Sequence, residues 1–178
     1  MSATETRQGA VTMKGNPVNL VGPELKTGDP APDFTCIGAG LALITQNETA
    51  GKPRLFNVVP SLDTPVCNIQ THKFSQELQS LGDKVAAYTV SLDLPFAQAR
   101  FCSDAKITNL TNLSDVHNQS FGANYGVLTD GLPLHLLARA VFVVGSDNTI
   151  KYVQYVPEIT SEPDYAPAIA ALKAAAGV

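Results

Sequence analysis

Apolar and polar positions along the chain follow two different periods, and the changes between them mark out the elements. Leu55-Phe56-Asn57-Val58-Val59 is a short, mostly apolar run of the kind that forms a buried strand. Behind it, Phe74, Leu78 and Leu81 recur at spacings of four and three, which keeps them on one face of a helix over about residues 65–81. The same reading predicts strands at 85–91 and near 109–113, a short helix at about 95–105, and a helical turn from Val116 to Phe121. Ala140-Val141-Phe142-Val143-Val144 and Ile150-Lys151-Tyr152-Val153-Gln154-Tyr155 flank Gly145-Ser146-Asp147-Asn148-Thr149 and read as a hairpin. An alanine-rich helix opened by Ser161-Glu162-Pro163 follows. Near the start, Gly15-Asn16-Pro17 separates two short apolar runs, giving a second hairpin over residues 10–21 behind a polar stretch, 1–9, expected to be flexible. Gly28 to Phe34 is a proline-stiffened connector, and Leu41-Ala42-Leu43-Ile44 a further short strand. Strands alternating with helices, then a hairpin and a helix, predict an α/β chain: one domain over residues 1–178, its mixed sheet flanked by helices on both faces.

Composition narrows the class. The chain has 178 residues, 44% apolar and 16% charged, enough to bury roughly 70% of the surface its unfolded form exposes. Net charge is −4 with Lys and Arg scattered, which offers no footprint for nucleic acid or an anionic membrane. No apolar run approaches the roughly 20 residues a membrane helix needs. Met1 to Gln8 lacks the apolar core of a secretory signal, so a cytoplasmic location is expected.

The three cysteines, Cys36, Cys67 and Cys102, are odd in number and too few for a disulfide scaffold. They form no C-x-x-C pair, and His72, His117 and His135 lie far apart, so no metal site is expected. Cys67 stands out by its setting. Thr64-Pro65 is a good helix start, a hydroxyl residue at the N-cap and a proline at the first helical position. Cys67 then falls in the first turn, where free N–H groups and the positive end of the helix dipole favour a thiolate. Pro60 lacks an N–H and would shield one side of that sulfur; the Thr64 hydroxyl, three residues before it, could donate to or accept from an oxygen of a bound substrate. Arg139 lies at the start of the apolar strand at 140–144. An arginine there commonly points to solvent or pairs with a carboxylate, but its fixed charge could instead hold a thiolate. Arg54 and Arg100 are the competing cations. A lone buried cysteine is often only a small apolar side chain, and that reading suits Cys36, in Asp33-Phe34-Thr35-Cys36-Ile37.

The pattern Pro60-x-x-x-Thr64-x-x-Cys67 resembles the peroxidatic loop of peroxiredoxins, and the longer string from Asn57 to Cys67 resembles their bacterial thiol peroxidase branch. Three further blocks match that branch in order: Ser91 to Cys102, Leu137 to Val144, and Glu158 to Tyr165. The resemblance runs from about residue 10 to the C-terminus. It implies a thioredoxin-like fold with the N-terminal hairpin as an extension. It implies that Cys67 is the peroxidatic nucleophile, that Thr64 and Pro60 frame it, and that Arg139 is its cation. It also makes Cys102, 35 positions on, the resolving thiol of an intramolecular disulfide, recycled by thioredoxin. Hydrogen peroxide or alkyl hydroperoxides are the implied substrates, a homodimer the implied assembly, and no cofactor is called for. A peroxide sensor, or a redox-switched binding module, would use the same cysteines. Phe96, Phe101, Leu132, Leu134 and Leu136 either line an apolar approach to the thiol or serve packing.

Overall fold

The computed structural model describes residues 5–178. Its main sheet has seven strands in the order β10-β9-β5-β6-β7-β3-β4: Ile150–Tyr155, Ala140–Val144, Arg54–Val58, Ala86–Ser91, Thr111–Ser114, Thr35–Ile37 and Leu43–Thr45. A smaller sheet joins β1 (Thr6–Met13), β2 (Asn16–Val21) and β8 (Leu128–Asp130). The helices are α1 (Gln46–Thr49), α2 (Pro65–Leu78), α3 (Pro95–Ala105), α4 (Ser120–Asn124) and α5 (Tyr165–Ala176). Helices α2 and α3 are the crossovers that allow β5, β6 and β7 to run parallel, while β9 lies antiparallel to β5. The expected mixed α/β sheet is therefore present.

Alternation along β5 and β9 divides the core. Leu55, Val141 and Val143 join Phe74 and Leu78 of α2 and Ile169 and Leu172 of α5 on one face. Phe56, Val58 and Phe142 meet Phe34, Phe121 and Tyr125 on the other, together with Val11, Val18 and Leu20 of the hairpin. Asn57 shares the Leu55 face and so lies beneath α2.

Several boundaries differ from the sequence expectation. Strand β1 opens at Thr6, so residues 6–9 belong to a strand, with Thr6 and Arg7 paired to Val21 and Leu20 ahead of a register shift; residues 1–4 lie outside the described residues. Polar composition hid that strand, but Arg7 anchors it: its Nε donates to Gly22 O at 3.1 Å, its Nη2 donates to Gly126 O, and its guanidinium stacks over Tyr155. Helix α2 ends at Leu78, three residues early, although Leu81 is still buried. The strand expected at 41–44 is β4, displaced because Ala39–Leu41 forms a 3₁₀ turn. The turn expected at 116–121 is α4, which starts at Ser120. Strands β3 and β8 had no sequence signal, since three residues are too few to show a period.

The hairpin is tied to the main body at its tip. Glu158, in the loop after β10, accepts from the Lys14 and Gly15 amides at 3.0 Å each and from the Thr12 hydroxyl at 2.8 Å. It also accepts from Thr160 N at 3.0 Å and Thr160 Oγ1 at 2.7 Å. These donors, led by the Thr160 hydroxyl, hold its carboxyl well below the usual carboxylate range. Among the described residues no helix is long and apolar enough to cross a membrane.

Candidate active site

Cys67 is the third residue of α2 and is completely buried, packed with Val59 and Leu62 and covered on one side by Phe101 of α3. Pro65 opens the helix as predicted, with no N–H to leave unpaired. The Thr64 hydroxyl, expected to cap α2, makes no capping bond. It lies instead 2.8 Å from Cys67 Sγ and 2.9 Å from Ser61 O. Thr64 itself is exposed, so its hydroxyl stands between the buried sulfur and solvent, whereas Pro60 is buried.

The cation facing the sulfur is Arg139, with Nη2 3.4 Å from Cys67 Sγ. Strand register makes this meeting possible: Val58 pairs with Ala140, so the residue before β9 stands beside the Val59-Pro60 corner that leads to α2. Arg54 pairs with Val144 at the opposite end of the same two strands. It is fully buried, donates to Gly145 O and Asn148 Oδ1, and serves the β9–β10 turn. Arg100 is exposed on α3, in the groove between α2 and α3 with Asn68, His72 and Phe101. Arg139 is only 2% exposed. Its Nε donates to Ile159 O at 2.8 Å and its Nη1 to Gln70 Oε1 at 2.6 Å, so the guanidinium is fixed on three sides.

The loop before Cys67 is held by Asp93, which follows β6. Its carboxylate accepts from Ser61 Oγ at 2.7 Å and from Leu62 N at 2.8 Å. Beside this loop, Pro60, Leu92, Val116, Leu134 and Leu136 line a shallow groove. Phe96 and Leu134 are 67% and 65% exposed, so neither is part of the core, whereas Phe101 packs between the helices.

Cys102 lies in the last turn of α3, half-buried against the apolar cluster that contains Leu55, Phe74 and Ile107. Burial pushes its thiol up, partly offset by the Asn112 amide, whose Nδ2 donates to the sulfur at 3.1 Å. All three cysteines are free thiols. Cys67 and Cys102 belong to separate apolar clusters, and Phe101 borders both. Cys36 is completely buried on β3, as expected; burial, and then the neighbouring Asp115 carboxylate, push its thiol far up, which keeps it protonated and inert.

A protected sulfur with a hydroxyl, a guanidinium and a helix N-terminus around it is suited to attack on a weak, polarisable bond, with donors ready for the charge that leaves. A family model described as Redoxin matches residues 26–169. A thiol peroxidase of Halalkalibacterium halodurans is 49% identical over 166 residues, 93% of this chain and 98% of its own length. The chain belongs to the redoxin family, among its thiol peroxidases. A thiol peroxidase of Streptococcus pneumoniae is 47% identical over 164 residues, 92% of this chain and 99% of its own. Among solved structures, a peroxiredoxin-like protein from Aquifex aeolicus superposes with a TM-score of 0.87 at 41% identity, covering 94% of this chain and 98% of that one. A thiol peroxidase from Chromobacterium violaceum gives 0.83 at 18% identity over 92% and 95%, a likeness of fold alone. The thioredoxin-like fold implied by the sequence motifs is the fold of this redoxin.

Three polar residues close to the thiol escaped the sequence reading: Gln70, Asn57 and Asp93. A signal for the first two was present. Gln70 and Thr71 follow Cys67 at spacings of three and four, on the same face as Phe74 and Leu78, and Asn57 interrupts an apolar strand. Polar residues at such positions must find one another.

Proposed function

We propose that this redoxin reduces hydroperoxides by thiol chemistry at Cys67. The thiolate sulfur attacks one peroxide oxygen; the S–O bond forms as the O–O bond breaks, and the departing oxygen takes a proton and leaves as water or an alcohol. Cys67 becomes a sulfenic acid. Pro60 walls the pocket, Thr64 donates to one peroxide oxygen, and the Arg139 guanidinium stabilises the charge that develops as the two oxygens separate. The Cys102 thiolate then attacks the Cys67 sulfur and expels the hydroxyl, which leaves as water, giving a Cys67–Cys102 disulfide. A dithiol partner, thioredoxin, returns both to thiols by exchange. The observation that carries this reading is the buried Cys67 sulfur with Thr64 Oγ1 at 2.8 Å and Arg139 Nη2 at 3.4 Å.

Hydrogen peroxide and alkyl hydroperoxides are the proposed substrates, the cytoplasm is the proposed location, and a homodimer is the proposed assembly. The exposed Leu94, Phe96 and Leu134 support an apolar contact surface, which sedimentation velocity tests directly. The decisive experiment is rapid oxidation of the reduced chain by hydrogen peroxide and by cumene hydroperoxide, with mass mapping of the product. Fast oxidation to one Cys67–Cys102 bond, lost in Cys67→Ser and arrested at sulfenic acid in Cys102→Ser, is the expected result. Many turnovers with thioredoxin separate an enzyme from a peroxide sensor. Retained turnover in Cys67→Ser sinks the assignment.

A further inference from the structure

The guanidinium facing Cys67 is held by a chain of side chains that returns to Cys67 itself. Arg139 Nη1 donates to Gln70 Oε1 at 2.6 Å, and Gln70 Nε2 donates to Asn57 Oδ1 at 2.5 Å. Asn57 Nδ2 donates to Thr71 Oγ1 at 3.1 Å and to Thr89 Oγ1 at 3.2 Å. Thr71 Oγ1 donates to Cys67 O at 2.8 Å. With Arg139 Nη2 3.4 Å from Cys67 Sγ, the path begins at the sulfur and closes on the carbonyl of the same residue. Asn57, Gln70, Thr71 and Thr89 are all completely buried.

The direction of each bond is forced. A guanidinium has only donors, so Gln70 must present its oxygen to Arg139 and its nitrogen to Asn57. A backbone carbonyl only accepts, so the single proton of the Thr71 hydroxyl is committed to Cys67 O and only lone pairs face Asn57. Asn57 must therefore turn its nitrogen to Thr71 and its oxygen to Gln70. Both ends of the ring demand the same orientation, and a flipped amide anywhere would set donor against donor in a buried site.

We propose that Asn57 and Thr71 are positioning residues for the reactive thiol, fixing Gln70 and through it the Arg139 guanidinium against the Cys67 sulfur. The ring holds only while the first turn of α2 keeps the Cys67 carbonyl on Thr71. The proposal deepens the peroxidase reading and rests on it. Neither Asn57 nor Thr71 hydrogen-bonds the sulfur, so they act on it through the Arg139 guanidinium and, for Thr71, through the Cys67 carbonyl. Other charged or titratable groups surround the site: Asp63 and Asp93 in the loops after β5 and β6, His72 and Lys73 on α2, Arg100 on α3, and Glu162 and Tyr165 before and on α5. Among the described residues none of these hydrogen-bonds a member of the ring.

Thr71→Val keeps the shape and removes both bonds of the Thr71 hydroxyl, to Asn57 and to Cys67 O; Thr71→Ser restores them, and Asn57→Ala removes the bonds to Gln70, Thr71 and Thr89. Two rates report on each variant from about pH 5 to about pH 9. One is alkylation of Cys67 by iodoacetamide, mapped by peptide mass; the other is oxidation of Cys67 by hydrogen peroxide. In Thr71→Val both rates at neutral pH should fall about threefold to tenfold, the size of the one Arg139–sulfur hydrogen bond it loosens, and the alkylation profile should move to higher pH. Thr71→Ser should stay within about twofold of the parent. Asn57→Ala should move in the same direction and further. A purely structural role predicts a lower melting temperature with the pH profile unmoved, and that result overturns the proposal. Should Asn57→Ala fail to fold, the Thr71 pair decides. A parent chain that alkylates at Cys67 yet resists peroxide overturns the peroxidase reading, while the alkylation profiles still decide the ring.

Discussion

Replacing Thr64 with valine isolates one hydroxyl at the proposed reaction centre. Its oxygen lies 2.8 Å from Cys67 Sγ and 2.9 Å from Ser61 O, but it carries a single proton. With Cys67 a thiol, the S–H donates to Thr64 and the Thr64 proton goes to Ser61 O. With Cys67 a thiolate, the charged sulfur becomes the stronger acceptor and draws that proton to itself. An arriving peroxide oxygen then finds a donor already turned toward the sulfur. A hydrogen bond to a charged group contributes about 1.5–3 kcal/mol, and about 1.4 kcal/mol is tenfold in rate. Thr64 is exposed, so water partly substitutes, and the lower half of that range applies: valine should slow Cys67 oxidation about 10- to 40-fold. Helix α2 loses no cap, because the hydroxyl makes no capping bond. The chain contains no tryptophan, so the rate is best read by competition with a haem peroxidase, in a Cys102→Ser background that stops after the first oxidation. Thr64→Ser should remain within a few-fold of the parent. A Thr64→Val protein with an unchanged circular dichroism spectrum and a parental oxidation rate would refute the reasoning.

Arg139→Lys should slow oxidation by at least about tenfold, since an ammonium lacks the planar fork that reaches Gln70, Ile159 and the sulfur together; the same competition assay reads it. Lys106 ends α3 in the left-handed region, at φ 54°, and Lys106→Gly should relieve that strain, firm the turn carrying Cys102, and slow disulfide closure about two- to fivefold without changing the first oxidation. Asp115 is completely buried, and desolvation raises its carboxyl to about 6 despite the Phe121 and Gly122 amides it accepts from. Its folded state holds a proton that the unfolded chain has released, so its contribution to stability should fall by roughly 3 kcal/mol as pH rises from about 4 to about 6. The stability gap between the parent and Asp115→Asn, by chemical denaturation, should accordingly widen as pH is lowered through that window. Glu158 has the opposite sign: its carboxyl is held low, so its stabilisation is present above the ordinary carboxylate range and lost as pH falls below it. Glu158→Gln at neutral pH should speed amide exchange at Lys14 and Gly15.

What the sequence shows of this site is local, and what it hides is mostly long-range. Thr64-Pro65 places Cys67 in a first helical turn because proline and a hydroxyl residue act over three or four positions. The fold class follows from the order of periods in the same way. Choosing Arg139 over Arg54 by physics alone needs the β5–β9 register, a pairing across about 80 positions that no local period reveals. Both arginines are buried, so burial does not choose between them. The role of the Thr64 hydroxyl at the cap was misjudged for a related reason. The side chain had two uses within reach, and the nearby sulfur and the Ser61 carbonyl took it from the helix amides. Gln70 and Thr71 needed only the helical period already in hand, applied to polar residues as well as apolar ones.

The reduced structure sets the terms for the second half of the proposed cycle. Both sulfurs lie on helices, in separate apolar clusters with Phe101 between them, so a disulfide requires at least one helix end to open. The two ends differ in what holds them. Opening α2 at Cys67 exposes a fully buried residue, strips the Thr71 hydroxyl of its acceptor and releases the ring that fixes Arg139. Opening the last turn of α3 exposes a sulfur that is already half-buried, breaks its contact with the Asn112 amide, and relieves a lysine held at positive φ. Local opening favours the segment with fewer buried contacts to lose. In the proposed cycle Cys102 is therefore expected to move first, with the ring keeping Cys67 seated beside its cation through peroxide cleavage. A neutral sulfenic acid at Cys67 is a weaker partner for Arg139 than a thiolate, and leaves the α2 turn freer to follow. Unequal anchoring of the two helix ends would set that order, with the stronger anchor on the residue proposed to meet the substrate.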